Sequence, residues 1–297
     1  MKKNFIRYTV GDRCFLFFDQ IILAVFLIVL IYPLLYIFSA SFSAGGVSIF
    51  LIPEQFTTAG YRAVFEYRDI WAGYANSVFY MVSGTLVSLT VTVCCAYPLS
   101  RSDFRGRNII MVLCMITMYF SGGLIPTYLQ VRNLGLLKTR LAVILPGAMS
   151  VYNMIVVRTY FKTQVPQELL ESAQIDGCGN IRYLLRILLP LSVPILAVNA
   201  LFCAVGYWNS YFDAMIYLQN QRAKYPLSLF LREILVMSTM NAERIQQMDA
   251  GQIMNIQERQ TLMKYAVIIV ASVPMMIIYP FVQKYFVKGI LVGSVKG

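Results

Sequence analysis

The chain has 297 residues, of which 58% are hydrophobic and 13% are charged. Soluble domains average about 45–50% apolar and about 25% charged residues, so this composition excludes an ordinary soluble domain and indicates a membrane protein. The sequence has 25 Lys and Arg against 14 Asp and Glu, and it has no histidine. The lack of histidine excludes His-dependent acid–base catalysis, His-containing triads and His-bearing metal sites from this chain.

Six stretches without Asp, Glu, Lys or Arg are candidate membrane spans, because a helix needs about 20 mostly apolar residues to cross about 30 Å of hydrocarbon. The first could be a secretory signal, but residues 21–38 exceed the roughly 7–15 apolar residues of such signals, which favours an uncleaved helix. Within the third stretch, Ser121-Gly122-Gly123 predicts a helix break. The predicted spans are approximately 20–38, 77–99, 108–131, 141–157, 187–212 and 265–283.

Lys and Arg predict the orientation of these spans. Six spans place both termini on one side, and the segments on that side carry about twice the density of Lys and Arg, which is typical of cytoplasmic loops. The net charge of +11 is then explained by topology and gives no reason to expect nucleic acid. Residues 1–297 are predicted to form a single transmembrane domain, with a cytoplasmic loop at 161–190 and an extracytoplasmic loop at 213–264.

The chain lacks the usual sites for energy coupling. A P-loop requires a Gly-Lys pair, and the sequence contains none, so any energy must come from a partner subunit or an ion gradient. Only Asp19 and Asp213 approach the predicted spans, and both lie at span edges, where carboxylates meet water. The six cysteines form no C-x-x-C pair, and no metal site or disulfide framework is predicted.

The segment 161–190 has the pattern of two short helices joined by a glycine. Pro166 suits a first helical turn, Glu168 and Glu171 lie near the positive end of that helix, and Gly177 suits its C-terminal cap. From these residues alone, the segment either docks into a cleft of another protein or lies against lipid headgroups, and both interpretations stay open. Its apolar side is predicted to consist of Leu169, Leu170, Ala173 and Ile175.

The same segment resembles the EAA loop of binding-protein-dependent ABC importer permeases. The loop has the pattern E-A-A, three residues, G, nine residues, I-x-L-P, and residues 171–190 match every fixed position except Ser172. In that family the loop is a cytoplasmic coupling helix that inserts into the ATPase subunit. The resemblance implies this role for Glu171, Ser172, Ala173, Asp176, Gly177, Ile187, Leu189 and Pro190.

The resemblance covers nearly the whole chain. Six spans, Gly135-Leu136-Leu137 with Thr139, Trp208-Asn209 and the tail 289–297 look like the MalG-like carbohydrate uptake permeases. The long outer segment 220–264 is similar to the LplC-like subgroup, which is associated with oligosaccharides from complex or plant polysaccharides. The implied fold is an all-α membrane protein, a six-transmembrane-helix ABC importer permease (MetI-like) with a cytoplasmic coupling helix.

The resemblance also implies function and partners. The chain would be a non-catalytic transport subunit of a bacterial plasma membrane importer, with no cofactor or metal of its own. ATP and Mg would bind a partner ATPase, and the other partners would be a second permease, an extracytoplasmic solute-binding protein, the sugar and membrane lipid. Two alternatives remain open: an ion-coupled secondary carrier, and a non-transporting assembly or regulatory protein that binds a partner through 161–190.

The fifth span offers candidates for sugar contact, because pyranose C–H faces pack on aromatic rings and hydroxyls need polar partners. On one continuous helix, Trp208 and Tyr211 would lie within about 60° of each other, and Asn209 and Asp213 about 40° apart. The same residue types also form interface belts and bonds between helices. The candidates are Asn199, Tyr207, Trp208, Asn209, Tyr211 and Asp213.

The long outer segment also has apolar residues at helical spacing. They predict an amphipathic helix that either rests on the membrane surface or contacts a binding protein. These residues are Leu227, Phe230, Leu231, Ile234 and Leu235.

Overall fold

A computed structural model describes residues 9–44, 47, 51–244, 261–280 and 283. The described chain is built from α-helices, with one π turn at Leu184–Leu188, one 3-10 turn at Arg222–Lys224 and two isolated β-bridges. The helices are α1 Val10–Ala40, α2 Ala59–Glu66, α3 Arg68–Ser100, α4 Arg107–Tyr119, α5 Leu124–Asn133, α6 Leu141–Ile144, α7 Val151–Thr163, α8 Glu168–Ile175, α9 Asn180–Tyr183, α10 Leu189–Leu191, α11 Val193–Trp208, α12 Phe212–Tyr217, α13 Leu227–Arg244 and α14 Thr261–Pro280.

The chain clusters into two compact units, residues 1–66 with 237–270 and residues 67–236 with 271–297. In the first unit, α1 begins with a capping box between Thr9 and Asp12, which satisfies two free N–H groups of the first turn. At its other end, Ser41 Oγ lies 2.7 Å from the Tyr61 hydroxyl. An added Cβ on Gly60 would lie 2.6 Å from the carbonyl oxygen of Leu262, so glycine lets α2 approach the start of α14.

The second unit is organised around α3, which packs along α11 and α7. Small residues on α3 allow this close packing, as at helix interfaces in membranes: Gly73, Ser77, Gly84 and Ser88 are all buried. One core cluster lies where α3, α7 and α8 meet and includes Leu99, Phe161 and Ala173. The short helix α8 is therefore seated directly on the core of this unit.

Three described helices, α1, α3 and α14, are long and apolar enough to cross a membrane by length and composition. The number is up to five if each of two bent helix pairs counts as one span. The pair α4 and α5 bends by 115° across residues 120–123, which confirms the helix break predicted at Ser121-Gly122-Gly123. The chain around α10 and α11 bends by 82° at Ser192.

The range predicted as the fourth span, 141–157, is not one continuous helix. It contains α6, an interruption at residues 145–150 and the first half of α7. Pro146 and Gly147 lie in that interruption, and both residue types disfavour a helix interior. The arrangement of exactly six spans in one domain stays a prediction, and residues 1–8, 245–260 and 284–297, including the tail that resembles the family, lie outside the described residues.

The amphipathic helix predicted in the long outer segment exists as α13. Of its predicted apolar residues, two face the protein, Leu227 and Phe230, and three are half-buried, Leu231, Ile234 and Leu235. Leu227 and Phe230 are each 1% exposed, and the Leu227 N–H donates to Ser77 Oγ at 2.8 Å. An added Cβ on Gly73 would lie 2.7 Å from the Phe230 ring. These two side chains are thus packed against α3, so the expectation that they contact a membrane surface or a binding protein is wrong.

Candidate functional site

The coupling segment, residues 161–190, contains a helix that ends in a complete Schellman motif. The Gly177 N–H donates to Gln174 O at 3.0 Å, and the Cys178 N–H donates to Ala173 O at 2.8 Å. These are the two bonds that define the motif, which needs a left-handed residue after the C-cap. Gly177 fills this position with φ +71°, and it follows the C-cap residue Asp176.

The two sides of α8 differ sharply in exposure. Ala173 is 6% exposed and packs in the core, whereas Ile175 is 87% exposed. Leu170 is half-buried, and Leu169 is exposed. The predicted apolar side is therefore split: Leu170 and Ala173 fix the helix to the core, while Leu169 and Ile175 face away from it.

The polar residues of the EAA-like pattern on and beside α8 are all exposed to solvent. Glu171 and Asp176 are exposed, and Glu171 accepts a hydrogen bond from Gln167 Nε2 at 3.2 Å. Ser172 is also exposed, and its hydroxyl donates to Leu169 O at 3.3 Å, so a small polar residue fits this position without disturbing the helix. The exposed surface of α8 combines carboxylates with apolar side chains.

The second half of the segment returns the chain to the core. Tyr183 and Leu188 are buried, Ile187 and Leu189 are half-buried, and Pro190 is exposed. The π turn Leu184–Leu188 ends two residues before Pro190. A proline cannot donate the helical hydrogen bond and crowds the carbonyl four residues earlier, and a wider turn relieves this crowding.

A polar cavity of about 260 Å³ lies between α3, the 143–153 region and α11. It brings together two of the six predicted sugar-contact residues, Tyr207 and Asp213. The Tyr207 hydroxyl donates to Ile144 O at 2.9 Å and lies 3.1 Å from Ser88 Oγ. Asp213 accepts from Ser210 Oγ at 3.3 Å. The cavity is also lined by the small polar residues Ser88, Thr92, Ser150 and Asn153.

The other four predicted residues do not line this cavity. Asn199 is 4% exposed and accepts from Cys203 Sγ at 3.6 Å, while Trp208 is 5% exposed and donates its Nε1 proton to Ala271 O at 3.2 Å. Asn209 is exposed and donates to Val205 O at 3.0 Å in its own helix. Tyr211 is exposed beneath the guanidinium of Arg232.

The predicted angles between Trp208 and Tyr211, and between Asn209 and Asp213, do not hold because the helix is interrupted. α11 ends at Trp208 and α12 begins at Phe212, so residues 208 and 213 do not share one helical wheel. Sequence reasoning also missed the small polar residues of the cavity, which are Ser88, Thr92, Ser150, Asn153 and Ser210. The only available signal was Ser88 and Thr92, which are spaced by four and therefore lie on one face of α3.

Comparisons with known proteins agree with this fold. No protein-family model matches the chain. The chain is 43% identical to Protein LplC of Bacillus subtilis (strain 168), covering 90% of each chain. It is 41% identical to the polygalacturonan/rhamnogalacturonan transport system permease protein YtcP of the same organism, covering 94% of this chain and 98% of the relative.

A solved structure shows the same architecture. A chain in the crystal structure of a bacterial ABC transporter involved in the import of the acidic polysaccharide alginate is 33% identical, with a TM-score of 0.82, covering 94% of this chain and 99% of that chain. The fold is therefore that of an all-α permease subunit of an ABC importer. The chain belongs to the family of carbohydrate ABC importer permeases of the LplC type.

Proposed function

We propose that this chain is one membrane-spanning subunit of an ATP-driven, binding-protein-dependent importer of oligosaccharides. Its partners would be a second permease, ATP-binding cassette ATPase subunits and an extracytoplasmic solute-binding protein. The names of the relatives support this class of substrate, since they include transport permeases for polygalacturonan or rhamnogalacturonan and for arabinooligosaccharides. The observation that carries the coupling role is α8, which is fixed to the core on one side and exposed on the other.

The exposed side of α8 is the surface that would enter the ATPase subunit. A short helix with apolar side chains at its exposed face, such as Ile175, suits a groove in a partner protein. Because Ala173 is buried in the core, a force on α8 is transmitted to α3 and α7 through packed side chains. The EAA-like residues Glu171, Ser172, Asp176 and Gly177 lie on or beside this helix. In the returning segment, Ile187 packs against the same core cluster as Ala173, and Leu189 and Pro190 follow it.

Transport would follow from two conformations of the spans. ATP-driven closure of the ATPase pair would move α8 and so open the pathway alternately to each side of the membrane. The polar cavity is our candidate for part of this pathway. Tyr207 offers a ring and Asp213 offers a carboxylate, which are the groups that recognise sugar C–H faces and hydroxyls.

The chain itself would catalyse no covalent reaction. ATP and Mg would be bound by the partner ATPase, and this chain would need neither a cofactor nor a metal. Both termini would face the cytoplasm of a bacterial cell, in agreement with the Lys and Arg distribution, and α8 would lie on the same side. The predicted loop 213–264 would then face outward toward the binding protein.

The first test is affinity purification of the full-length chain in mild detergent from the cells that naturally produce it. Recovery of an ATPase, a second permease and a binding protein, together with sugar-stimulated ATP hydrolysis, is the expected result. A panel of neutral and uronate oligosaccharides on the recovered binding protein then identifies the sugar. Recovery of the chain alone, with uptake that collapses on adding an ionophore at constant ATP, would contradict the proposal and favour an ion-coupled carrier.

A further inference from the structure

A second cavity, of about 150 Å³, lies beside the coupling segment. It is formed where the end of α3, the loop after it, the end of α7 and the start of α8 meet. Three of its lining residues are cationic: Arg101, Arg107 and Lys162. Pro166 and Gln167, directly before α8, complete the wall on the side of the coupling helix.

Arg101 has a buried donor with no protein partner. Its side chain is 9% exposed, and its Nε and Nη2 atoms donate to the two carboxylate oxygens of Asp103 at 2.9 and 2.8 Å. Its Nη1 atom is buried and has no hydrogen-bond partner within the part of the chain that the structure describes. Buried polar groups are nearly always paired, and an unpaired donor on a charged group is costly, so one N–H group of the Arg101 guanidinium is left without compensation by the described residues.

The charges around the cavity determine the kind of ligand. Asp103 uses both carboxylate oxygens on Arg101, which leaves the positive charges of Arg107 and Lys162 in excess. Arg107 Nη1 donates to the backbone carbonyl oxygen of Arg101 at 2.9 Å, which ties the first residue of α4 to the end of α3. The ligand is therefore an anion that accepts several hydrogen bonds.

We propose that this cavity binds a phosphate group, either of a phospholipid headgroup or of a free phosphate compound. Phosphate oxygens match the forked donors of arginine, and basic pockets between helices on the cytoplasmic side of membrane proteins bind anionic headgroups. The volume suffices, since a single water needs only about 10–15 Å³ of such space. A phosphate here would join the loop after α3 to the base of α8, so it would set the position of the coupling helix.

The test uses the purified importer complex, stripped of lipid in detergent, and native mass spectrometry. The complex is titrated with dioleoylphosphatidylglycerol, with dioleoylglycerol, which lacks the phosphate, and with inorganic phosphate. The variant Arg107→Gln/Lys162→Gln removes two cations from the cavity. The control Arg105→Gln/Arg182→Gln removes two exposed arginines that do not line it, so both proteins lose the same charge.

The cavity variant is expected to bind the phosphate-bearing probe about 10- to 100-fold more weakly than the control, as follows from the loss of charged hydrogen bonds. Displacement of the phospholipid by inorganic phosphate assigns the site to a soluble phosphate, whereas resistance to displacement assigns it to the lipid. Equal affinities in the two double variants, or equal binding of dioleoylglycerol, would overturn the proposal. The measurement needs no transport, and it can be made on the full-length chain alone if no partner is recovered, so failure of this proposal and failure of the proposed function are distinguishable.

Discussion

Gly84 of α3 lies directly against the aromatic ring of Tyr207 on α11. A Cβ added to Gly84 would lie 2.6 Å from both Cδ2 and Cε2 of that ring, a separation that van der Waals radii forbid. The close contact lets the Tyr207 hydroxyl reach both Ser88 and the carbonyl of Ile144. A single glycine on one helix thus decides where a cavity-lining ring on another helix is placed.

Gly84→Ala is expected to destabilise the protein by about 1–3 kcal/mol, the usual cost of forcing extra atoms into a packed interface. Gly206→Ala is the matched control, because it adds the same methyl group on the neighbouring helix where nothing lies within 4 Å. Both variants gain the same helix propensity. Thermal unfolding of the detergent-purified protein measures the difference, and equal midpoints would contradict the contact.

Gly177→Pro is expected to leave the chain in the membrane but to uncouple it from its ATPase. Proline cannot adopt the φ of +71° found at this position, and it removes the N–H that bonds to Gln174 O. Gly179→Pro is the control, since Gly179 has φ −71°, close to the value that proline prefers. Sugar uptake and ATPase co-purification report the effect, and wild-type levels of both in Gly177→Pro would exclude the coupling role.

Asn76→Ala is expected to cost about 1–3 kcal/mol, because it leaves buried groups unpaired. Asn76 is 4% exposed, donates to Ala223 O at 2.8 Å and to Tyr225 O at 3.1 Å, and accepts from Arg140 Nη2 at 2.9 Å. Asn209→Ala provides the comparison, since Asn209 is exposed and should change stability by less than about 0.5 kcal/mol. Chemical or thermal unfolding of both variants tests whether burial decides the cost.

Asp213→Asn is expected to stabilise the protein at neutral pH. Burial raises the pKa of Asp213, which lies beyond the end of α11, and the hydrogen bond from Ser210 opposes this shift only in part. The charged form is therefore the disfavoured one, so stability falls as the pH rises from the ordinary value of the group through its raised value. Unfolding midpoints measured from pH 4 to pH 8 should show a gain for Asp213→Asn that disappears at the acidic end.

Asp103→Asn supplies a control of opposite sign. The hydrogen bonds from the Arg101 guanidinium lower the pKa of Asp103, so its charged form is favoured in the folded protein. The charged carboxylate therefore contributes to folding stability above the ordinary pKa of an aspartate, and this stability is lost as the pH falls through the lowered pKa. Asp103→Asn should therefore be less stable than the native protein at neutral pH, by a small amount because Asp103 is 64% exposed. If Asp103→Asn and Asp213→Asn changed stability in the same direction at neutral pH, the assigned pKa shifts would be wrong.

Local sequence signals predicted the features that local chemistry controls. Proline, acidic residues and a glycine at the right spacing predicted α8 and its C-terminal cap, because capping depends on a few adjacent residues. The glycine pair after Ser121 predicted the break between α4 and α5 for the same reason. The family was also accessible from sequence, since its pattern from Glu171 to Pro190 lies within one continuous segment.

Other features depended on contacts between distant segments. The apolar face of α13 had the pattern of a helix for a membrane or a partner, but Ser77 and Gly73 on α3 provide the surface that covers Leu227 and Phe230. No pattern within α13 could reveal this, because amphipathicity shows that a face is buried and does not show what buries it.

The sequence by itself determined that this is a helical membrane protein, that it belongs among the carbohydrate importer permeases, and that a capped helix follows Pro166. Only the tertiary structure decided that Tyr207 and Asp213 share a cavity that Asn199 and Trp208 do not line, and that one donor of Arg101 has no partner among the described residues. The physical reason is that hydrophobicity and capping act over a few neighbouring residues, whereas a cavity forms where separate helices fail to fill the space between them.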